Sequence, residues 1–127
     1  MPSPEARAPA IDGARLAARL EALWQVAQAP GGGADRPAWS PAEAAAMRLV
    51  AGWAEEAGLR PALDRHGNLW ALPAGDGPLA TSGSHVDTVP AGGRYDGALG
   101  TVLALEAAAA LGGRCGVLVC AVPSAPS

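Results

Sequence analysis

From Leu79 to Val122 the chain reads as a short apolar strand, a glycine-rich polar loop, a helical pattern and a second apolar strand. Two strands separated by a helix are joined most simply as a right-handed parallel crossover, so this stretch commits the chain to an α/β fold. The first strand is expected at about Leu79–Ser84 and the loop at Val86–Tyr95. The helix should run from Ala98 to Leu111. It is mostly Ala, Leu and Val, the composition of a helix covered on most sides. Gly112-Gly113 stops it, and Gly116–Val122 is the second strand. Gly92 and Gly93 permit sharp turns in a crowded loop.

Upstream, Asp12 is positioned to cap a helix reaching about Ala29, with Leu16, Leu20, Leu23 and Ala27 on one face. Pro30 and the glycines at 31–33 end it. That glycine run is either a plain linker or a place where the backbone passes close to other groups. Ser40-Pro41-Ala42-Glu43 is a capping box with proline in the first helical position. The helix it opens should reach Ala57, with Gly58 as its stop. Leu59–Leu63 and Asn68–Leu72 read as two strands joined by a turn at Asp64–Gly67. Residues 73–78 are a loop, and the Pro- and Ala-rich segment 1–10 is expected to be disordered.

Half of the 127 residues are apolar, enough for a packed core. The net charge is -3 and the nine basic residues, all Arg, form no block, which excludes a nucleic-acid partner. No apolar run is long enough for a membrane span, and Met1–Ala10 lacks the apolar centre of a signal peptide. A cytoplasmic location follows as an expectation. Cys115 and Cys120 fall on opposite faces of the last strand, so they are expected to be buried free thiols. His66 sits in a turn and Glu55-Glu56 on a helix surface, and all three are read as solvated.

The chemistry gathers in Thr81–Gly100, TSGSHVDTVPAGGRYDGALG. His85 offers a neutral nitrogen ligand, and the carboxylates of Asp87 and Asp96 suit divalent cations. A carboxylate two residues past a ligand histidine can hold the other ring nitrogen and fix its tautomer. On this pattern the residues are either a metal site or a polar loop.

This stretch resembles the first metal-binding segment of the di-zinc aminoacylase and carboxypeptidase superfamily, most closely its N-carbamoyl-L-amino acid hydrolase and allantoate amidohydrolase branch. The branch pattern GSHxDTVxxGGxYDGxxG is matched at Gly83, Ser84, His85, Asp87, Thr88, Val89, Gly92, Gly93, Tyr95, Asp96, Gly97 and Gly100. Asp64–Gly75 resembles the family's D-x-x-G-N-L hairpin, and Gly31–Ser40 its glycine-rich loop, which in the family lies near the active-site cleft. The resemblance implies the N-terminal part of a zinc-exopeptidase-like three-layer catalytic domain, with two helices, a hairpin and a βαβ unit and without the lid domain. It further implies that His85 binds one ion, that Asp96 bridges two, and that Asp87 is the catalytic-site group holding the His85 imidazole. The ions would be zinc, manganese or cobalt, and the peptide after Asp96 would be cis. The implied substrates are small ureido or amide compounds, with hydrolysis of a linear C–N bond. Because dimer contacts belong to the family's lid, no oligomeric state is implied.

The family continues after its second strand into a glutamate pair that supplies the general base and a ligand, and later into two more histidines. Here the chain reads CAVPSAPS, and Asp, Glu and His do not recur after Glu106. The expected division is a disordered segment 1–10, a partial metallohydrolase catalytic domain 11–122 and a non-homologous tail 123–127. A frameshift or an early stop would give this pattern, and a chain of this kind is expected to be inactive alone. The alternatives are a non-catalytic remnant that binds another chain through an open sheet edge, and a piece of a related metallo-dipeptidase.

Overall fold

The computed structural model describes residues 10–76 and 79–121. The N-terminal segment up to Pro9, Gly77-Pro78, Val122 and the tail 123–127 lie outside the described residues, so the expectations for them stand untested. Three helices and four strands are present: α1 (Gly13–Trp24), α2 (Pro41–Glu56), β1 (Arg60–Leu63), β2 (Leu69–Leu72), β3 (Thr81–Ser84), α3 (Ala98–Ala110) and β4 (Gly116–Val119). No helix among them is long and apolar enough to cross a membrane.

Helix α1 begins as expected, with the Asp12 side chain accepting the Arg15 N–H at 3.0 Å. It ends at Trp24, not at Ala29. The backbone beyond it turns back and pairs with the glycine loop, Ala29 N–H to Gly33 C=O at 2.9 Å and Asp35 N–H to Ala27 C=O at 3.0 Å. Helix α2 has Ser40 as its cap, with the Glu43 N–H on Ser40 Oγ at 3.1 Å. The reciprocal half of the box is displaced by one residue, and Glu43 Oε1 takes the Trp39 N–H at 2.8 Å. Gly58, at φ +85°, closes the helix.

β1 and β2 form the expected antiparallel hairpin, Arg60 opposite Leu72 and Leu63 opposite Leu69. Its turn is built on Asp64. One carboxylate oxygen accepts the His66 and Asn68 N–H groups, and the other accepts Asn68 Nδ2 and the Trp70 indole N–H. These bonds, those of Asn68 and Trp70 above all, hold the carboxyl well below the usual carboxylate range. Gly67 lies under the Trp39 ring, where a Cβ would sit 2.6 Å from a ring carbon.

The sheet order is β1-β2-β4-β3. β3 and β4 are parallel with α3 between them in the chain, as the strand–helix–strand pattern predicts, and β2 pairs antiparallel with β4. Leu69, Ala71, Val117 and Val119 share one sheet face and pack with Val50, Val102 and Leu105 of α2 and α3 in a single core. Trp70, Leu72 and Leu118 occupy the opposite face and are half-buried, outside that core. The described elements therefore form a helical layer on one face of a mixed sheet. Cys115 and Cys120 are free, flank β4 and are half-buried, where full burial was expected; each falls just outside the strand.

Glu106 is the one acid of α3. It is fully buried and ties that helix to α1, taking Arg15 Nε and Nη2 at 2.8 and 2.7 Å and Arg19 Nη1 at 3.2 Å. Arg19 continues to Glu56 at 2.8 Å and lies over the Trp53 ring, 5.2 Å from its centroid.

Candidate metal centre

β3 delivers His85 to the start of α3. The strand end is anchored by the Cys120 N–H on the Ser84 carbonyl at 2.7 Å, and the Thr101 hydroxyl donates to the His85 carbonyl at 3.1 Å. The imidazole lies directly against Gly97, where a Cβ would be 2.5 Å from ring atoms. Glycine is required there twice over, because its φ is +75°. No peptide bond among the described residues is cis, so the expected cis bond after Asp96 is not found. The positive φ of Gly97 makes the turn with a trans bond.

His85 Nδ1 lies 3.0 Å from the Asp87 main-chain carbonyl and 3.2 Å from Asp87 Oδ1. Both are acceptors, so in the neutral ring Nδ1 carries the hydrogen and Nε2 keeps its lone pair. The expected approach of Asp87 to the imidazole is present, but the hydrogen bond is made to its main-chain carbonyl, and Oδ1 lies alongside at 3.2 Å without making one. Nε2 faces Asp96, 3.9 Å from its Oδ1. The side chains differ in access: His85 is 30% exposed, Asp87 18% and Asp96 72%. His66 stays on the hairpin turn and Glu55 on the surface of α2, away from this cluster, and both are exposed.

Two donors 3.9 Å apart can both touch one ion whose bonds are about 2.1 Å long. His85 and Asp96 thus fit two positions of a divalent-metal shell. They do not fill one: among the described residues no group of three or more His, Cys, Asp or Glu side chains is placed to hold a metal ion.

Behind the pair lies a buried polar layer that the sequence reading passed over. Arg36 is 1% exposed. Its Nε donates to the Val86 carbonyl at 2.9 Å and its Nη1 to the Leu23 carbonyl at 2.7 Å. Its main chain exchanges bonds with Thr88, N–H to Oγ1 at 2.9 Å and C=O from the Thr88 N–H at 2.7 Å. Burial lowers the guanidinium's proton affinity, and the Asp87 charge opposes that. Glu43, read only as a capping residue, is also buried. Burial raises its carboxyl pKa, the Trp39 N–H opposes this, and Asp87 adds to the rise. Glu43 Oε2 and Asp87 Oδ1 are both buried without a hydrogen-bond partner among the described residues. The glycine loop is no plain linker. Ala34 pairs with Gly92 in both directions at 2.9 and 2.8 Å, and a Cβ on Gly33 would meet the Ala91 backbone at 2.7 Å.

No family model matches the chain. Among curated proteins it is 41% identical over 99 residues to an N-carbamoyl-L-amino acid amidohydrolase of Geobacillus stearothermophilus, covering 76% of this chain and 24% of that protein. It is 40% identical over 97 residues to allantoate deiminase 2 of Glycine max, covering 74% of this chain and 20% of that one. Among solved structures, an amidase of the hydantoinase/carbamoylase family from Burkholderia phymatum superposes with a TM-score of 0.79 at 37% identity, over 89% of this chain and 29% of that chain. The chain spans about a quarter of the length of the relatives it matches. By sequence and by fold together, it is similar to the hydantoinase/carbamoylase family amidases over that quarter of their length.

Proposed function

We propose that the chain carries one wall of the metal centre of a hydrolase acting on linear amide or ureido C–N bonds, with N-carbamoyl-L-amino acids or allantoate as the substrate class. The observation that supports this most is the approach of His85 Nε2 to Asp96 Oδ1 across the loop between β3 and α3, within a fold matched to amidases at 37% identity. His85 and Asp96 would hold the ion, zinc, manganese or cobalt. When bound, such an ion supplies an acidified water and polarises a carbonyl. The chain's own residues would position this pair. The Asp87 carbonyl keeps the hydrogen on Nδ1, Gly97 leaves room for the ring, and the exposed Asp96 carboxylate faces the open side.

A second reading is favoured by one observation. The apolar sheet face of Trp70, Leu72 and Leu118 has no described helix over it, and β3 is a sheet edge. In that reading the chain is a binding piece that pairs with another chain. One experiment separates the two: the purified chain is titrated with zinc, manganese and cobalt, and N-carbamoyl amino acid and allantoate hydrolysis is followed at saturating metal. Metal-dependent turnover, lost in His85→Ala and Asp96→Ala, supports the hydrolase for this chain. Absence of turnover at high protein concentration, with mass added from a partner chain, supports the binding piece.

A further inference from the structure

We infer that Arg36 is a positioning residue for His85, fixing both peptide planes around Asp87 so that the imidazole is held as the Nδ1–H tautomer with Nε2 turned to Asp96. A trans peptide is planar, so its N–H and C=O directions are locked to each other. The plane before Asp87 ends in the Val86 carbonyl, which takes Arg36 Nε at 2.9 Å. The plane after it carries the Asp87 carbonyl and the Thr88 N–H, and the Thr88 N–H is held by the Arg36 carbonyl at 2.7 Å. Fixing that N–H therefore fixes the Asp87 carbonyl on the opposite side, the atom that lies 3.0 Å from His85 Nδ1. The Arg36 N–H on Thr88 Oγ1 braces the same unit, and Nη1 on the Leu23 carbonyl ties it to the end of α1. One residue thus holds both planes, one by its side chain and one by its main chain.

A neutral side chain could clip a carbonyl at far lower cost than a buried guanidinium. The charge has a use here because it interacts with the half-buried Asp87 carboxylate, whose Oδ1 atom is buried and has no hydrogen-bond partner among the described residues. This inference deepens the proposed function, since it takes His85 as a nitrogen ligand, but its readout needs no metal.

The test is a long-range proton–nitrogen spectrum of the 15N-labelled full chain at pH 8, free of metal. The chain has two histidines, and exposed His66 is the internal reference for an unconstrained ring. His85 is expected to show the Nδ1–H pattern and His66 a mixture. In Arg36→Lys and Arg36→Met the His85 ratio of Nδ1–H to Nε2–H should fall by roughly 5-fold, the equivalent of one hydrogen bond, with His66 unchanged. A wild-type His85 that is not Nδ1–H overturns the proposal, as do folded Arg36 variants that leave His85 as it was. Should both variants unfold, Thr88→Val decides: a shifted His85 ratio supports the bracing and an unshifted one refutes it. Zinc added to the wild type separates the two levels. An Nδ1–H ring whose Nε2 signal ignores zinc sinks the metal-site reading and leaves the Arg36 assignment standing.

Discussion

Replacing Glu106 with alanine tests what locks α3, and with it the Gly97 turn beside His85, onto α1. The carboxylate is fully buried and receives three charge-assisted bonds, at 2.7, 2.8 and 3.2 Å. Removing one member of a buried ion cluster typically costs about 3–5 kcal/mol, because the remaining charges stay desolvated. Here two features pull the value to the low end. Arg15 is 42% exposed and can return to water, and Arg19, although only 6% exposed, keeps Glu56 and its stacking on Trp53. The expected loss is about 3 kcal/mol, a large share of the roughly 5–15 kcal/mol by which domains are stable. Urea unfolding followed by tryptophan fluorescence and far-ultraviolet dichroism reads it directly, and Tm should fall by roughly 10 °C or more. The double variant Arg19→Met/Glu106→Met should recover most of the loss, since a well-packed apolar pair matches or betters a buried ion pair. A Glu106→Ala loss below about 1 kcal/mol would refute the reasoning, as would a double variant no better than the sum of its parts.

Gly97→Ala should cost about 1–3 kcal/mol for a strained backbone, and should also displace the His85 ring signals, because the new methyl falls 2.5 Å from the ring; an unmoved His85 spectrum would contradict this. The Glu43 carboxyl is raised by burial, so its folded pKa exceeds the unfolded 4.5. Stability is then complete below that pH and is lost as pH rises through the folded value. Glu43→Gln, which can keep the Trp39 N–H bond, should therefore gain on the wild type as pH climbs above 4.5, and denaturation midpoints at pH 4 and pH 7.5 would expose a constant gap as the failing result. Asp64 behaves oppositely: its carboxyl is depressed below 3.8, so its contribution is complete above that pH and fades as pH drops. Asp64→Asn should weaken the hairpin at neutral pH and flatten the acid limb of the stability curve. A variant that retains the wild-type acid slope counts against the role given to Asp64.

The hairpin, the β-α-β unit, both helix starts and the His85–Asp87–Asp96 grouping were legible because each rests on local spacing, on caps or on glycine. The end of α1 was not, because residues 27–29 are claimed by a tertiary pairing with the loop at 33–35, which no periodicity in the helix announces. The shift of the capping box to the Trp39 N–H follows from Trp39 itself, a bulky residue at φ +66°. Arg36 gave little signal as a single arginine between Asp35 and Pro37. Glu106 did carry one: a lone acid in an otherwise apolar helix must be paired if that helix is covered, and basic positions on α1 were available to pair with it. The orphan oxygens of Glu43 and Asp87 depend on three segments meeting and lie beyond any single-segment reading.

β4 is the last of the described strands in the chain and yet sits between β2 and β3 in the sheet. During synthesis, then, the hairpin and the strand that carries His85 are both made before the strand that joins them. A nascent chain that has reached Leu111 holds both candidate ligands and the hairpin but not the strand that joins them, because among the described strands β3 pairs with β4 alone and the Ser84 carbonyl waits for the Cys120 N–H. Assembly of this half-site is in that sense a closing event, set by contacts distant in sequence and timed by the emergence of residues 116–120.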